Sequence, residues 1–212
     1  MAGMTNLWEI EQTYFQQGVS LICGADEAGA GPLAGAVYAG AVILPAGWVP
    51  EGLDDSKKVS EKNRERLYDE IIRYATAWAI ATVDEREIDA INILNARLLA
   101  MNRAILALKP TAEFALIDGN RDKGIDLPHL TVVGGDGLSA NIAAASILAK
   151  VSRDRYMTEM DARYPQYGFA KHKGYPTRAH YEALDAYGPC PIHRKTFLKK
   201  WYKKRAEGGE VR

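Results

Sequence analysis

The stretch VSLICGADEAGAGPLAG, residues 19–35, passes from apolar side chains into two carboxylates and then into glycines. An apolar run that ends this way reads as a buried strand delivering Asp26 and Glu27 to the edge of a cleft. Charge in such a place is costly unless it is paired or holds a metal. Glycines just beyond it let a backbone approach a ligand closely, because they have no Cβ. Chemistry is expected here first.

A second strand is predicted across the Gly-rich turn, over 35–44. Ser60 is placed to cap a helix from 61 to about 75, with Leu67, Ile71 and Tyr74 on one face. Residues 78–83 are strand-like, and Leu94, Leu98, Met101, Ile105 and Leu108 then recur at helical spacing, with Pro110 closing that helix. Two short apolar strands follow, 114–117 ending at Asp118-Gly119 and 130–133 ending at Gly134-Gly135-Asp136. Ser139 is placed to cap a long helix from 140 to about 163, whose first turns are apolar nearly all round and belong against a sheet. Thr177 opens another helix, and Gly188-Pro189 stops it. This order predicts an α/β fold, a mixed sheet with flanking helices.

The 212 residues are enough to bury a sizeable core and are expected to form one domain, with 47% apolar and 25% charged side chains typical of a soluble globular protein. Cys23 and Cys190 are the only cysteines, which suits a reducing compartment better than a disulfide scaffold. Residues 28–50 carry no charge, but eight Gly and Pro punctuate them, so they form strands and turns, not a membrane span. No secretory leader is visible, and a cytoplasmic location with no membrane partner is expected. Net charge is zero but unevenly spread: residues 1–149 hold 12 Lys/Arg against 20 Asp/Glu, and 150–212 hold 15 against 7. That division suits a polyanion lying across an acidic metal site, and equally a plain solvated basic surface.

Three strands end in an acid followed within two residues by Gly: Asp26-Glu27, Asp118-Gly119 and Asp136-Gly137. Acids at strand ends converge on one edge of an α/β sheet, its usual ligand side. Four carboxylates together repel unless cations neutralise them, and such oxygen ligands favour Mg²⁺ or Mn²⁺. Two ions about 3.5–4 Å apart can clamp the attacking and leaving oxygens of a phosphodiester. Singly, each acid is more simply a turn residue; together they point to a site. The segment YGFAKHKGY, residues 167–175, interleaves bases with aromatics in a way that suits phosphates and a stacked sugar or base. Alone, it is equally a surface turn with core aromatics. The cluster Lys199, Lys200, Lys203, Lys204 and Arg205 is expected to be a frayed, solvated tail. Histidines 129, 172, 180 and 193 show no metal-ligand spacing, so no zinc is assigned.

With these segments in place, the chain resembles the type 2 ribonuclease H (ribonuclease HII) family from about residue 19 to 198. The matching blocks are DEAG and GPLAG within 26–35, DSKK at 55–58, Asp118-Gly119, Gly135-Asp136, residues 144–154, KHKGY at 171–175 and PIHR at 191–194. The resemblance implies a ribonuclease H-like five-stranded mixed sheet flanked by helices, about 19–160, with a basic C-terminal helical extension over about 161–212. It implies cleavage of the RNA strand of RNA–DNA hybrids, and cleavage 5′ to ribonucleotides embedded in duplex DNA, leaving 3′-hydroxyl and 5′-phosphate ends. By position, Asp26, Glu27, Asp118 and Asp136 are the catalytic acids and metal ligands, for two Mn²⁺ or Mg²⁺ ions. Tyr175 matches a tyrosine that packs on the deoxyribose beside the ribonucleotide. Gly29, Ala30 and Gly31 match a loop whose backbone contacts the ribose 2′-hydroxyl, the group that marks RNA. Lys57, Ser146, Lys171, His172, Lys173 and Arg194 fall in the matching blocks as substrate contacts.

Two positions depart from the family pattern: Ala30 stands where Arg is usual, and Gly134 where Lys is usual. Each change removes a cation, and a charge-assisted phosphate contact is worth about 1.5–3 kcal/mol. A working but weakened enzyme is therefore expected. The rivals are a non-catalytic hybrid-binding protein and a different two-metal enzyme such as a resolvase or phosphatase. A monomer is the default, and a partner on the replication clamp is left open.

Overall fold

The computed structural model describes residues 6–207. In chain order its elements are α1 (Glu9–Phe15), β1 (Ile22–Ala28), β2 (Val37–Ile43), α2 (Glu61–Tyr74), β3 (Ala77–Val83), α3 (Glu85–Ile91) and α4 (Ile93–Leu106). There follow β4 (Phe114–Asp118), β5 (His129–Val132), α5 (Ala140–Arg163), α6 (Phe169–His172), α7 (Arg178–Tyr187) and α8 (Lys199–Ala206). The five strands form one mixed sheet in the order β3-β2-β1-β4-β5. β1 runs antiparallel to β2 and parallel to β4, which is itself parallel to β5.

Side-chain alternation along β1 sorts its residues between two layers. Cys23 and Ala25 join the core shared with α4, whose Leu98, Met101 and Ile105 are buried in it. Ile22 packs instead with Leu116 of β4 and Ile142 of α5. Gly24 faces α5 so closely that a Cβ there would collide with the Asn141–Ile142 backbone. Gly40, opposite Asp26 in the β1–β2 register, would put a Cβ 2.5 Å from the Ala145 carbonyl. The small, wholly buried Ala143, Ala144 and Ala145 of α5 complete this close approach, which sets the start of α5 directly over the carboxyl end of β1.

Helix N-termini follow the expected chemistry. Ser60 accepts from Asn63 N, Ser139 from Ile142 N and Thr177 from His180 N. Three elements depart from expectation. α1 has no legible periodicity and is fixed by a tertiary contact. Its wholly buried Glu11 accepts from Ser139 Oγ (2.6 Å) and Asn141 Nδ2 (3.1 Å) at the head of α5; burial raises the Glu11 pKa. α3 starts in a capping box, with Asp84 accepting from Glu87 N (2.8 Å) and Glu87 returning to Asp84 N (3.3 Å).

The third departure is at the C-terminal side. The segment 199–205 is not a frayed tail but helix α8, held by buried Trp201, whose Nε1 donates to Asp185 (2.8 Å). Leu94, expected on the buried face of α4, is exposed. α6, α7 and α8 pack with Leu33, Ala34 and Met157 around Phe169, Leu184 and Trp201, so the C-terminal segment docks on the glycine loop after β1. Among the described residues, no helix is long and apolar enough to cross a membrane.

Candidate active site

Asp26 and Asp118 stand one step beyond the paired Ala25 and Ile117, at the carboxyl ends of the parallel neighbours β1 and β4. Strand alternation turns both toward α5, where buried Ser146 lies. Glu27 faces the opposite layer and meets Arg97 of α4, 2.7 Å from Glu27 Oε1. Asp136, expected at a strand end, lies instead on a single 3₁₀ turn, Gly135–Gly137, beyond the end of β5 at Val132, and is not among the residues that line the cleft described below. That turn is tied to β4 because Gly135 N donates to Asp118 Oδ1 (2.8 Å).

These acids perturb one another. The pKa of Asp26 is raised well above the ordinary carboxylate value by burial, with the charges of Glu27 and Asp118 adding to it. Burial also raises Glu27, against Arg97, which lowers it, while Asp118 raises it further. Asp136 is raised by burial and by Asp55 and Asp118, against Lys57. The exposed Lys57 Nζ lies 3.9 Å from Oδ2 of the buried Asp136, a long pair whose cation is largely in solvent and which is worth little by itself. Against burial, which lowers it, four carboxylates headed by Asp136 raise the Lys57 pKa. Crowding of carboxylates at the cleft floor is therefore a property of the fold.

A cleft of about 260 Å³ opens over this floor, lined by Asp26, Glu27, Asp118, the 28–31 loop, Ser56, Lys57, Ser146, Lys150, Arg153 and Tyr175. Tyr175 is 45% exposed, so an aromatic face is available on the rim. The loop between β1 and β2 is built around two buried guanidiniums. Arg153 donates to the carbonyls of Ala34 (3.2 Å) and Ala36 (3.3 Å). Gly29 has φ +96°, and a Cβ there would collide with the Arg153 side chain. Gly134, one of the two departures, has φ +67° with open space about it. Glycine suits that backbone better than lysine.

Two expected substrate contacts are corrected. Arg194 is wholly buried, and its guanidinium is consumed by the carbonyls of Gly29 (2.7 Å), Ala30 (3.1 Å) and Gly35 (2.6 Å). It shapes the loop from behind. His172 has both ring nitrogens engaged, Nε2 with the Tyr167 carbonyl (2.8 Å) and Nδ1 with Gly174 N (3.2 Å). It holds the turn before Tyr175 and has no nitrogen left for a ligand. Lys171 and Lys173 lie outside the cleft lining. Periodicity did not single out Arg97 or Arg153, whose importance comes from contacts across the fold; Lys150 and Arg153 did fall within a matched block.

The donors suit a hard divalent cation in kind: crowded carboxylate oxygens, with Asp26, Glu27 and Asp136 held above their usual pKa. Glu27 Oε2 is in addition buried without a hydrogen-bond partner. Among the described residues, no three acidic, histidine or cysteine side chains stand already spaced to hold a metal ion.

A mixed sheet of this order, with acids at the carboxyl ends of its adjacent parallel strands, defines a protein of the ribonuclease H-like fold. The ribonuclease H2 of Pyrococcus horikoshii OT3 shares it, with a TM-score of 0.71 at 24% identity over 87% of this chain and 100% of that one. So does Bst-RNase HIII in complex with Mn²⁺, with a TM-score of 0.63 at 18% identity over 82% and 65%. In sequence, the model for ribonuclease HII matches residues 23–204. The ribonuclease HII of Dechloromonas aromatica (strain RCB) is 55% identical over 179 residues, 84% of this chain and 91% of that one. That of Aliivibrio fischeri (strain MJ11) is 49% identical over 197 residues, 93% and 95%. The chain belongs to the ribonuclease HII family.

Proposed function

We propose that this chain, by family a ribonuclease H acting on RNA–DNA hybrids, hydrolyses its substrate with two divalent cations and also cuts 5′ to ribonucleotides embedded in duplex DNA. The single observation that carries this reading is the convergence of Asp26 and Asp118 at adjacent parallel strand ends, where burial raises the Asp26 pKa and the charges of Glu27 and Asp118 add to the shift. Asp26, Glu27, Asp118 and Asp136 would hold the cations. Bound there, Mg²⁺ or Mn²⁺ would supply an activated water and charge neutralisation at the phosphate.

The protein's own groups have separate tasks. Lys57 brings positive charge to the cleft wall for phosphate oxygens, while Lys150 on the same wall is paired with Asp154. The exposed Tyr175 ring offers a face for the sugar next to the scissile linkage. Main-chain groups of Gly29, Ala30 and Gly31 are left to read the 2′-hydroxyl, and Arg194 holds them in place through three of the loop's carbonyls. The absence of an arginine at position 30 removes one charge-assisted contact, so turnover is lower than in an otherwise equal chain with Arg there. The protein acts as a monomer. The PCNA complex of the Archaeoglobus fulgidus RNase HII makes a replication clamp the first partner to test.

The test is cleavage of one duplex carrying a single ribonucleotide, with and without divalent ion. Expected are metal-dependent ends of 3′-hydroxyl and 5′-phosphate, no cutting of an all-DNA duplex, and a gain on Ala30→Arg. Cutting of all-DNA duplex would point to a different two-metal enzyme. Tight hybrid binding without turnover in any divalent ion would leave only the binding protein.

A further inference from the structure

Three of the four histidines, scattered at 172, 180 and 193, meet in space behind the cleft. His180 is wholly buried and His193 is 4% exposed. Their Nε2 atoms lie 3.0 Å apart. Burial holds both below the usual histidine pKa, at about 4. Both rings are therefore neutral at pH 7, and each carries one proton whose place can be worked out.

Cys190 N can only donate, and it lies 2.9 Å from His193 Nδ1. That nitrogen is then an acceptor, a closer fit than the 3.2 Å contact it makes with the Cys190 carbonyl. The His193 proton consequently sits on Nε2 and is donated to His180 Nε2. The His180 proton must then sit on Nδ1, which lies 2.9 Å from the carbonyl oxygen of Tyr175. One backbone amide thus fixes two tautomers in series, and the series ends on the main chain of a cleft residue.

The Tyr175 carbonyl also accepts from Thr177 N (2.8 Å), and His180 is its second partner, reaching it from the buried side. The Tyr175 ring is 45% exposed, and its neighbours in the cleft are Arg153, whose guanidinium carbon is 6.0 Å from the ring centroid, and Gly31. Little packing fixes the ring, so its direction depends on its backbone. The turn that feeds it is strained, with Lys173 at φ +51°, in the left-handed region that side-chain-bearing residues seldom adopt. His172, stacked on His180 with centroids 4.6 Å apart, ties the same turn through Gly174 N.

We infer that His180 and His193 are positioning residues for substrate cleavage: their fixed-tautomer hydrogen-bond chain aims Tyr175 at the sugar in the cleft. The inference rests on the reading of Tyr175 as a substrate contact, and the test separates the two. In His180→Phe, amide exchange at Gly174 and Tyr175 should accelerate by about tenfold or more. kcat/KM on the single-ribonucleotide duplex should fall by about tenfold to a hundredfold. His180→Asn, whose Nδ2 can donate from nearly the place of Nδ1, should recover most of both. Introduced into Tyr175→Ala, His180→Phe should cost little more.

Unchanged exchange in His180→Phe overturns the inference. So does failure of His180→Asn to rescue, or a full second loss in the Tyr175→Ala background, which marks a general packing role. If Tyr175→Ala alone cleaves normally, the substrate-contact reading fails, while exchange still decides whether the histidines position the turn. Should His180→Phe not fold, His193→Leu takes its place in every arm.

Discussion

Gly29 and Gly31 sit two residues apart in one loop, and the structure gives them opposite tolerance to a methyl group. Gly29→Ala places a side chain at φ +96°, which costs about 1–2 kcal/mol. The new Cβ also collides with Arg153, which is 2% exposed. Moving that guanidinium gives up its bonds to the Ala34 and Ala36 carbonyls. Hydrogen bonds to a charged group are worth about 1.5–3 kcal/mol each, so the displacement adds about 3–6 kcal/mol. The total of about 4–8 kcal/mol is a large fraction of the roughly 5–15 kcal/mol that holds a typical domain folded.

Gly31→Ala meets only Tyr175 Cε1, at 3.5 Å, and has no positive φ. It should stay within about 0.5 kcal/mol of wild type while slowing cleavage, because it narrows the cleft beside Tyr175. Urea denaturation of both variants, with a hybrid-cleavage assay on each, measures these effects. Placed in an Arg153→Ala background, Gly29→Ala should fall back to the backbone cost alone. A Gly29→Ala protein within about 1 kcal/mol of wild type would refute the steric reasoning. So would a Gly31→Ala protein that is just as destabilised.

Asp118→Asn keeps an Oδ1 acceptor for Gly135 N, so it should fold normally and lose nearly all cleavage; loss of thermal stability instead would make Asp118 a structural residue. Arg97→Met removes the cation that opposes burial at Glu27, so the acid limb of the cleavage pH profile should move to higher pH. An unmoved limb would show that ionisation of Glu27 does not govern turnover. Folded-state pKa values near 4 for His180 and His193, against 6.5 unfolded, mean that the unfolded chain takes up protons first as pH falls. Stability present above pH 6.5 should therefore be lost toward pH 4, by roughly 3 kcal/mol for each such group. Denaturation at stepped pH checks this, and an identical slope in His180→Phe would remove the histidines from the account.

Much of the fold was written in local pattern. Apolar runs broken by Gly and acid located all five strands, and Ser60, Ser139 and Thr177 marked helix starts because capping is a contact between near neighbours. α3 was legible in principle, since Asp84 and Glu87 form a capping box three residues apart. α1 and α8 were not, because each depends on a distant partner: Glu11 on the head of α5, and Trp201 on Asp185. At the site, the acids stood out in sequence because carboxylates that end apolar strands are unusual there. Arg97 did not, since nothing within its own helix distinguishes it from a solvated arginine.

The sequence by itself determined the strands, the placement of acids at their carboxyl ends, and through its ordered motifs the ribonuclease HII family. Only the tertiary structure decided which charged groups face the cleft and which are spent within the protein. It turned Asp26 and Glu27 to opposite layers, gave Glu27 to Arg97, buried Arg194 behind the glycine loop, and spent both His172 nitrogens on the turn before Tyr175. The physical reason is range. Periodicity and capping are set by residues within one turn or strand, whereas the partner of a buried charge is set by whichever element the fold packs against it.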